Sequence, residues 1–202
     1  MPYPDRFYPV VDSISWVARL TKLGVGTIQL RAKNLNDADA LAIVREGLAV
    51  TRGTHSELVV NDYWRAAIEA QARHLHLGQE DLADADLAAI RKAGLSLGVS
   101  THDDDELATA LRAKPDYVAL GPIFFTTLKS MRFAPQGIPK ITEWKRRVGS
   151  LPLVAIGGIK FEHAAAIFAA GADSIAVVSD VTQNADPDAR VRQWLGASAK
   201  AA

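Results

Sequence analysis

The chain contains no cysteine among its 202 residues. This absence excludes a disulfide framework, a thiolate metal site and a cysteine nucleophile, and it is compatible with a reducing compartment. An excess of charge of one sign is also missing, because 23 Lys and Arg residues balance 23 Asp and Glu residues. Since no net field draws the protein to nucleic acid or to an anionic membrane, we expect its partners to be small molecules.

Long hydrophobic runs are missing as well. No apolar run approaches the length of a membrane span, and the opening stretch MPYPDRFYPVVDS lacks the basic start and apolar core of a signal peptide. We therefore predict a cytoplasmic protein. The hydrophobic fraction of 49% is enough for one substantial core, which predicts a single domain over residues 1–202. The oligomeric state stays open, and a homo-oligomer is compatible with the sequence.

The sequence does have a regular alternation of strand-like and helix-like segments. Short apolar, β-branched runs predict eight strands, at FYPVV from Phe7, TIQL from Thr27, ELVV from Glu57, HLHL from His74, SLGV from Ser96, YVAL from Tyr117, LVAI from Leu153 and SIAVV from Ser174. Segments with helical spacing separate the strands, and this spacing predicts that Leu107 and Leu111 share a helix face. Eight strand-then-helix units predict an α/β fold, a single (β/α)8 TIM barrel, with an open doubly wound sheet as the alternative.

In a barrel of this kind the active site lies at the carboxyl ends of the strands, where this sequence has many polar residues. These residues are Arg31 and Lys33 after the second strand, Asn61 and Asp62 after the third, Gln79, Glu80 and Asp81 after the fourth, Ser100 at the end of the fifth, Thr126, Thr127 and Lys129 after the sixth, Gly157 and Gly158 after the seventh, and Ser179 after the eighth. Phosphate chemistry uses side chains of all these types.

Two of the acids indicate a metal site. Asp62 and Asp81 follow neighbouring strands, which lie about 4.8 Å apart in a sheet, so both carboxylates can reach one ion. Oxygen ligands without His or Cys favour Mg²⁺, which uses one or two carboxylates together with waters and substrate phosphates. Arg31, Lys33 and Lys129 at the same end would neutralise a diphosphate. The structural alternative is that Asp62 caps one helix, Asp81 starts the next, and each cation is an ordinary surface charge.

A second anion site is indicated at the seventh and eighth strands. Loops seven and eight of such barrels often hold a phosphate on backbone N–H groups, and here Gly157 and Gly158 follow the seventh strand. A glycine pair also makes a tight turn, so alone it is a weak signal. His74 and His76 alternate onto one face of the fourth strand. We predict no catalytic role for them, since a buried imidazole is commonly held by a backbone acceptor.

The chain resembles the thiamine-phosphate synthase family from about Tyr8 to about Trp194. The matching strings are QLRAK at 29–33, ND at 61–62, HLGQED at 76–81, GVSTH at 98–102, GP at 121–122, APQG at 134–137 and AIGGI at 155–159. The resemblance implies a (β/α)8 transferase of thiamine biosynthesis that joins a hydroxymethylpyrimidine diphosphate to a thiazole phosphate, with Mg²⁺. It also implies a dissociative course, in which the diphosphate leaves before the thiazole nitrogen attacks.

The resemblance further implies roles for individual residues. The contacts of the pyrimidine diphosphate would be Gln29, Leu30, Arg31, Ala32, Lys33, Asn61, Ser100 and Lys129, and the cradle of the thiazole phosphate would be Thr126, Thr127, Leu128, Gly158, Val178 and Ser179. Among these residues, Arg31, Lys33, Ser100 and Lys129 would be catalytic, and Asp62 and Asp81 would bind the magnesium ion. One position departs from the family pattern Thr-x-Thr-Lys. Leu128 replaces the second threonine and cannot donate its hydrogen bond, worth about 1.5 to 3 kcal/mol to a charged group, unless Thr127 substitutes for it.

Two other functions compete with the synthase. A related thiazole tautomerase uses the same barrel without the diphosphate metal site, and a non-catalytic barrel would sense phosphorylated thiamine precursors. Asp62, Asp81, Arg31 and Lys33 favour the synthase, whereas Leu128 is the feature that favours a sensor. The irregular stretch from residue 121 to residue 140 is a candidate lid, and whether it closes over the substrates stays open at the level of sequence.

Overall fold

The structure is a computed structural model that describes residues 3–126 and 133–199. Its strands are β1 (Phe7–Val11), β2 (Thr27–Leu30), β3 (Glu57–Asn61), β4 (His74–Leu77), β5 (Ser96–Thr101), β6 (Tyr117–Leu120), β7 (Leu153–Ile156) and β8 (Ser174–Val177). Its helices are α1 (Ile14–Lys22), α2 (Asp37–Thr51), α3 (Trp64–Glu69), α4 (Gln79–Asp84), α5 (Leu87–Lys92), α6 (Asp104–Arg112), α7 (Gly137–Val148), α8 (Ala164–Ala169), α9 (Ser179–Thr182) and α10 (Pro187–Ala199), with a 3₁₀ turn at Phe161–His163 before α8.

The strands form a closed parallel barrel in chain order. Closure is made by β1 and β8, where Phe7 lies opposite Ile175 and Tyr8 lies opposite Ala176. Each predicted strand is present, and the predicted (β/α)8 barrel is confirmed. The open doubly wound sheet is excluded because β8 pairs with β1.

Burial on both faces explains why the strands read as continuous apolar runs. A large outer core between strands and helices contains side chains such as Leu30, Leu75 and Ile175. A smaller inner core fills the barrel with Tyr8, Val10, Val59, Tyr117, Ala119, Val154 and Ala176. Aliphatic side chains usually dominate a barrel interior. Two tyrosines in this one therefore bring hydroxyl groups into the centre of the fold.

Several predicted boundaries were displaced. Strand β3 extends to Asn61 and β5 to Thr101, so that Asn61 and Ser100 lie within strands, and two helices, α4 and α5, follow β4. Helix α7 begins at Gly137, which shortens the predicted irregular stretch at its carboxyl end. Leu107 and Leu111 lie one helical turn apart in α6, as their spacing predicted, but only Leu107 is buried. The buried stripe of α6 runs from Leu107 to Ala110, a step of three residues, and leaves Leu111 38% exposed.

In the part of the chain that the structure describes, no helix has both the length and the apolar character needed to span a bilayer.

Candidate active site

The carboxyl ends of β2 to β5 bring together the polar residues of the first predicted anion site except Lys129, which lies outside the described residues. In the strand register Asn61 lies opposite His76, and His76 lies opposite Gly98, two residues before Ser100. Asn61 is 4% exposed, and its side-chain Nδ2 has no hydrogen-bond partner among the described residues. A buried donor of this kind needs an acceptor. An acceptor on a bound substrate would supply the missing partner.

The two predicted metal ligands are in contact. Asp62 follows β3 with a φ of 65°, and its backbone N–H donates to the carbonyl oxygen of His76 at 2.9 Å. Its carboxylate accepts a hydrogen bond from Lys33 Nζ and shares another with the carboxyl group of Asp81. Asp62 caps no helix, since α3 has Tyr63 at its N-cap position and no side-chain cap there. That structural alternative is excluded for Asp62, whereas Asp81 does lie in the first turn of α4.

Electrostatics divide the roles of the two acids. Partial burial disfavours the charged form of Asp62, but the hydrogen bond and charge of Lys33 hold its pKa below the ordinary value. Partial burial and then the negative charge of Asp62 raise the pKa of Asp81 to about 6. The pair thus shares a proton in mildly acidic solution. A divalent cation would displace that proton and satisfy both carboxylates.

The acid pair fits magnesium better than a softer metal. No group of three or more His, Cys, Asp or Glu side chains suited to a metal occurs in residues 3–126 and 133–199. Two carboxylates are nevertheless a sufficient protein contribution for Mg²⁺ when a substrate phosphate completes the coordination. Arg31 follows β2 and is half-buried, and its backbone N–H donates to the carbonyl oxygen of Val11 at 2.7 Å. The side chain of Lys33 is 42% exposed.

A buried chain of hydrogen bonds, which the sequence analysis missed, crosses the barrel interior. Gln29 Nε2 donates to Tyr8 Oη at 2.7 Å, and Tyr8 Oη lies 2.8 Å from Tyr117 Oη. Tyr117 Oη lies 2.9 Å from His76 Nδ1, and His76 Nε2 lies 2.8 Å from Ser100 Oγ. Burial lowers the pKa of His76 to about 4, so its imidazole is neutral at neutral pH.

The expectation of a backbone acceptor for His76 was therefore wrong, because both ring nitrogens contact side chains. The alternation of His74 and His76 already indicated that both imidazoles lie on one face of β4. Their partners were not predictable by spacing, since Tyr117 lies far along the chain. His74 lies two residues earlier on β4, where it stacks on Tyr3 with ring centroids 4.0 Å apart. This stack contributes none of the predicted site residues.

Ser100 is also held through its backbone. The side-chain Nε2 of Gln79, the first residue of α4, donates to the carbonyl oxygen of Ser100 at 2.7 Å. Beyond it, Thr101 Oγ1 donates to the carbonyl of Ala119 at 2.7 Å. The Ser100 hydroxyl thus projects from a strand end that is fixed on two sides. The string HLGQED therefore contributes Asp81 as a predicted metal ligand. It also contributes His76 and Gln79, which hold Ser100 through hydrogen bonds.

The glycine pair after β7 packs against the first residues of the sixth loop. Gly157 and Gly158 have φ values of 100° and 65°, and the Gly157 carbonyl accepts from the N–H of Phe124 at 2.9 Å. A Cβ atom at Gly158 would lie 2.4 Å from the carbonyl oxygen of Phe125. Both the left-handed backbone and this close approach require glycine. Loop seven therefore supports the stretch that leads to Thr126.

Some of the remaining predicted residues lie within the described part of the chain, and others lie outside it. Within it, Leu30 and Ala32 are buried on either side of the half-buried Arg31, and Val178 precedes Ser179, which begins the short helix α9. Thr127, Leu128 and Lys129 lie outside the described residues, as does the central part of the candidate lid, so those assignments stay predictions.

These observations define a (β/α)8 barrel whose polar groups, among them an acid pair with a lysine, gather at the carboxyl ends of the strands. Residues 7–181 match the family model described as thiamine monophosphate synthase. The chain belongs to this family and is a transferase.

Similar proteins cover nearly the whole chain. A thiamine-phosphate synthase of Rhizobium etli is 55% identical over 195 residues, which cover 96% of each chain. One from Klebsiella pneumoniae is 49% identical over 195 residues, covering 96% of this chain and 92% of its own. Among solved structures, a thiamine phosphate pyrophosphorylase from Pyrococcus furiosus has a TM-score of 0.84 at 25% identity, with 96% of each chain covered. A 3-hexulose-6-phosphate synthase from Salmonella typhimurium, at 14% identity and a TM-score of 0.73 over 96% of this chain and 99% of its own, shares the fold.

Proposed function

We propose that the chain condenses 4-amino-2-methyl-5-hydroxymethylpyrimidine diphosphate with thiazole phosphate to give thiamine phosphate and diphosphate. The observation that carries this proposal is the contact of Asp62 with both Lys33 and Asp81 at the mouth of the barrel. A tautomerase that handles only the thiazole has no diphosphate leaving group and no need for this cluster. Membership of the thiamine monophosphate synthase family supports the same reaction.

The chemistry asks chiefly for stabilisation of a leaving group. The attacking thiazole nitrogen carries no proton, so the site needs alignment and charge compensation more than a general base. In this proposal Asp62 and Asp81 would hold Mg²⁺, and the ion would supply charge compensation to a diphosphate leaving group. Arg31, Lys33 and Lys129 add cationic contacts, and the Ser100 hydroxyl donates a hydrogen bond to a phosphate oxygen.

The predicted residues form two sets of contacts, one for the pyrimidine diphosphate and one for the thiazole phosphate. Gln29, Arg31, Ala32, Lys33 and Asn61 line the pyrimidine side, whereas the side chain of Leu30 packs in the outer core. The unpartnered Nδ2 of Asn61 is supporting evidence for a polar contact there. The thiazole phosphate lies against Thr126, the loop residues after it, Gly158, Val178 and Ser179. The close seating of loop six on Gly158 supports this assignment, because it brings the two loops into one surface.

The test is diphosphate release by the purified protein with both substrates and Mg²⁺. We expect release to require both substrates and the metal ion, and to fall by at least about a hundredfold in Asp62→Asn and Asp81→Asn. The matched control is Asp84→Asn, which removes an exposed carboxylate from the same helix as Asp81 and should retain activity.

Other outcomes would favour the competing functions. Conversion of the thiazole without the pyrimidine substrate would identify a tautomerase. Binding of either substrate without turnover would identify a sensor, and Leu128 would then be the first residue to replace by threonine. Unchanged release in Asp81→Asn would contradict the proposed metal site.

A further inference from the structure

We propose that Tyr8 and Tyr117 are positioning residues for the transfer reaction, because their hydroxyl groups form a relay that aims the Ser100 hydroxyl at the leaving anion. This inference rests on the proposed function, which assigns Ser100 to the diphosphate. Both tyrosines lie inside the barrel, where neither side chain is open to substrate: Tyr8 is 1% exposed and Tyr117 is 0% exposed. They therefore act through other residues.

The relay is continuous from one predicted substrate contact to another. It begins at the Gln29 amide, passes through Tyr8 Oη, Tyr117 Oη and the His76 ring, and ends at Ser100 Oγ, with each step between 2.7 and 2.9 Å. These separations are normal hydrogen-bond distances. Ser100 is the half-buried end of a chain whose other members are buried.

Donor counting gives the relay a direction. The Gln29 Nε2 group can only donate, so Tyr8 Oη accepts its hydrogen bond. If Tyr8 then donates to Tyr117, and Tyr117 donates to Nδ1 of His76, each hydroxyl accepts one hydrogen bond and donates one. The opposite order would leave the buried hydrogen of the Tyr8 hydroxyl without an acceptor, which is destabilising.

This direction determines what Ser100 offers to a ligand. When Nδ1 of His76 accepts from Tyr117, the neutral ring carries its hydrogen on Nε2 and donates it to Ser100 Oγ. The hydrogen of the Ser100 hydroxyl is then available for a phosphate oxygen. Were the relay broken, His76 would be able to accept that hydrogen, and the serine would present a lone pair to the anion instead.

A glycine on the neighbouring strand makes room for the relay. Gly98 lies opposite Tyr117 in the register of β5 and β6. A Cβ atom at Gly98 would lie 2.0 Å from Tyr117 Cζ and 2.3 Å from Tyr117 Oη. No side chain at this position is compatible with the ring as it lies. The glycine in the string GVSTH is thus accounted for by the tyrosine that it accommodates.

The experiment compares Tyr117→Phe and Tyr8→Phe with Tyr3→Phe. The first two variants remove one relay hydroxyl each and keep the ring. Tyr3 is the matched control, because its ring packs edge-on against Tyr117 with centroids 5.9 Å apart, whereas its buried hydroxyl has no hydrogen-bond partner among the described residues. We expect both relay variants to lower kcat for diphosphate release by about tenfold to a hundredfold, and Tyr3→Phe to retain it.

Two readouts separate positioning from general loss of packing. The first is a double-mutant cycle: in a Ser100→Ala background, Tyr117→Phe should cause no further loss of kcat. The second is the ¹⁵N NMR spectrum of His76, assigned by comparison with His76→Asn. We expect the Nε2–H tautomer in the unsubstituted protein and its loss in Tyr117→Phe.

Affinity for inorganic diphosphate with Mg²⁺, measured by calorimetry, keeps the test independent of turnover. If no condensation is detected at all, the proposed function fails, and the relay is judged from this affinity and the tautomer alone. The relay is overturned if Tyr117→Phe matches Tyr3→Phe in kcat and diphosphate affinity. It is also overturned if the two substitutions Tyr117→Phe and Ser100→Ala act additively, or if His76 carries its hydrogen on Nδ1 in the unsubstituted protein.

Discussion

At the scale of single residues, the acid pair would make the proposed Mg²⁺ binding sensitive to pH. Burial and the charge of Asp62 raise the pKa of Asp81 to about 6, so below that pH a proton occupies the carboxyl group that the cation needs. We expect the Mg²⁺ affinity to be constant above about pH 7 and to fall by up to about tenfold per pH unit below about pH 6. Calorimetric Mg²⁺ titrations across this range would measure the effect.

The matched control for this prediction is Asp81→Asn, which should bind Mg²⁺ weakly and with little dependence on pH around 6, since the titrating group is gone. A Mg²⁺ affinity of the unsubstituted protein that is the same at about pH 5 and pH 7 would contradict the prediction.

A second prediction concerns Gly158. Alanine at Gly158 or at Gly53 must adopt a positive φ, which costs about 1 to 2 kcal/mol in either case. Only at Gly158 does the new methyl group also meet the carbonyl oxygen of Phe125; at Gly53 nothing lies within 4 Å. We expect Gly158→Ala to lose more stability in urea unfolding than Gly53→Ala does, and Gly158→Ala alone to raise the KM for thiazole phosphate severalfold. An equal KM in the two variants would argue against a role for loop six in binding.

These residues illustrate what the sequence could and could not predict. Asp62 and Asp81 were predictable as a pair because each follows a strand, and neighbouring strand ends meet at one edge of the barrel. The left-handed backbone of Asp62 was not, since it depends on the hydrogen bond of its N–H to His76. The relay was missed because it joins β1 to β6, and tyrosines in apolar runs read as ordinary core residues.

At the scale of elements, the last helix fastens the eighth loop. Trp194 of α10 stacks on Phe7 of β1 at 5.4 Å, and its Nε1 donates to Asp180 Oδ2 in α9 at 2.8 Å. Asp180 is the residue after Ser179, so this hydrogen bond restrains the backbone next to Ser179, a predicted phosphate contact. Trp144 of α7 is equally buried, but its Nε1 has no partner within the described part of the chain.

The contrast between these tryptophans gives a third prediction. Both Trp194→Phe and Trp144→Phe reduce packing volume, but only Trp194→Phe takes a donor away from a buried carboxylate. We expect Trp194→Phe to lower the free energy of unfolding by about 1.5 to 3 kcal/mol more than Trp144→Phe does. Urea unfolding followed by circular dichroism measures the difference. Equal losses would mean that the bond to Asp180 contributes little stability.

Apolar periodicity was a reliable guide to elements and a poor one to their ends. All eight strands lie where the runs predicted, since strands buried on both faces must be apolar. Asn61 and Ser100 nevertheless lie inside strands, because ladder pairing continues where a polar side chain faces the mouth of the barrel. The exposure of Leu111 was not predictable from its spacing, because the buried stripe of α6 continues from Leu107 through Ala110, and a small residue gives little signal in a hydrophobic pattern.

At the scale of the whole molecule, closure joins the two anion sites. Apart from Lys129, the proposed diphosphate groups come from β2 to β5, and the proposed thiazole phosphate groups come from the loops after β6 to β8. Because β8 pairs with β1 and β1 pairs with β2, the two sets are also linked through the first strand. Neither half of the barrel has a complete proposed site, so the proposed reaction would depend on the integrity of the ring of strands.

Closure of the barrel predicts that the chain unfolds cooperatively as a single unit. A half-barrel would expose the open edges of its sheet and part of both cores, so we expect no stable intermediate. Leu75→Ala in β4 and Ile175→Ala in β8 each remove a fully buried side chain, at a cost of about 2 to 5 kcal/mol. Each variant should shift one urea transition, with coincident tryptophan fluorescence and far-ultraviolet circular dichroism. If Leu75→Ala moves only part of the transition and leaves a plateau, the halves unfold separately and closure is not what holds the site together.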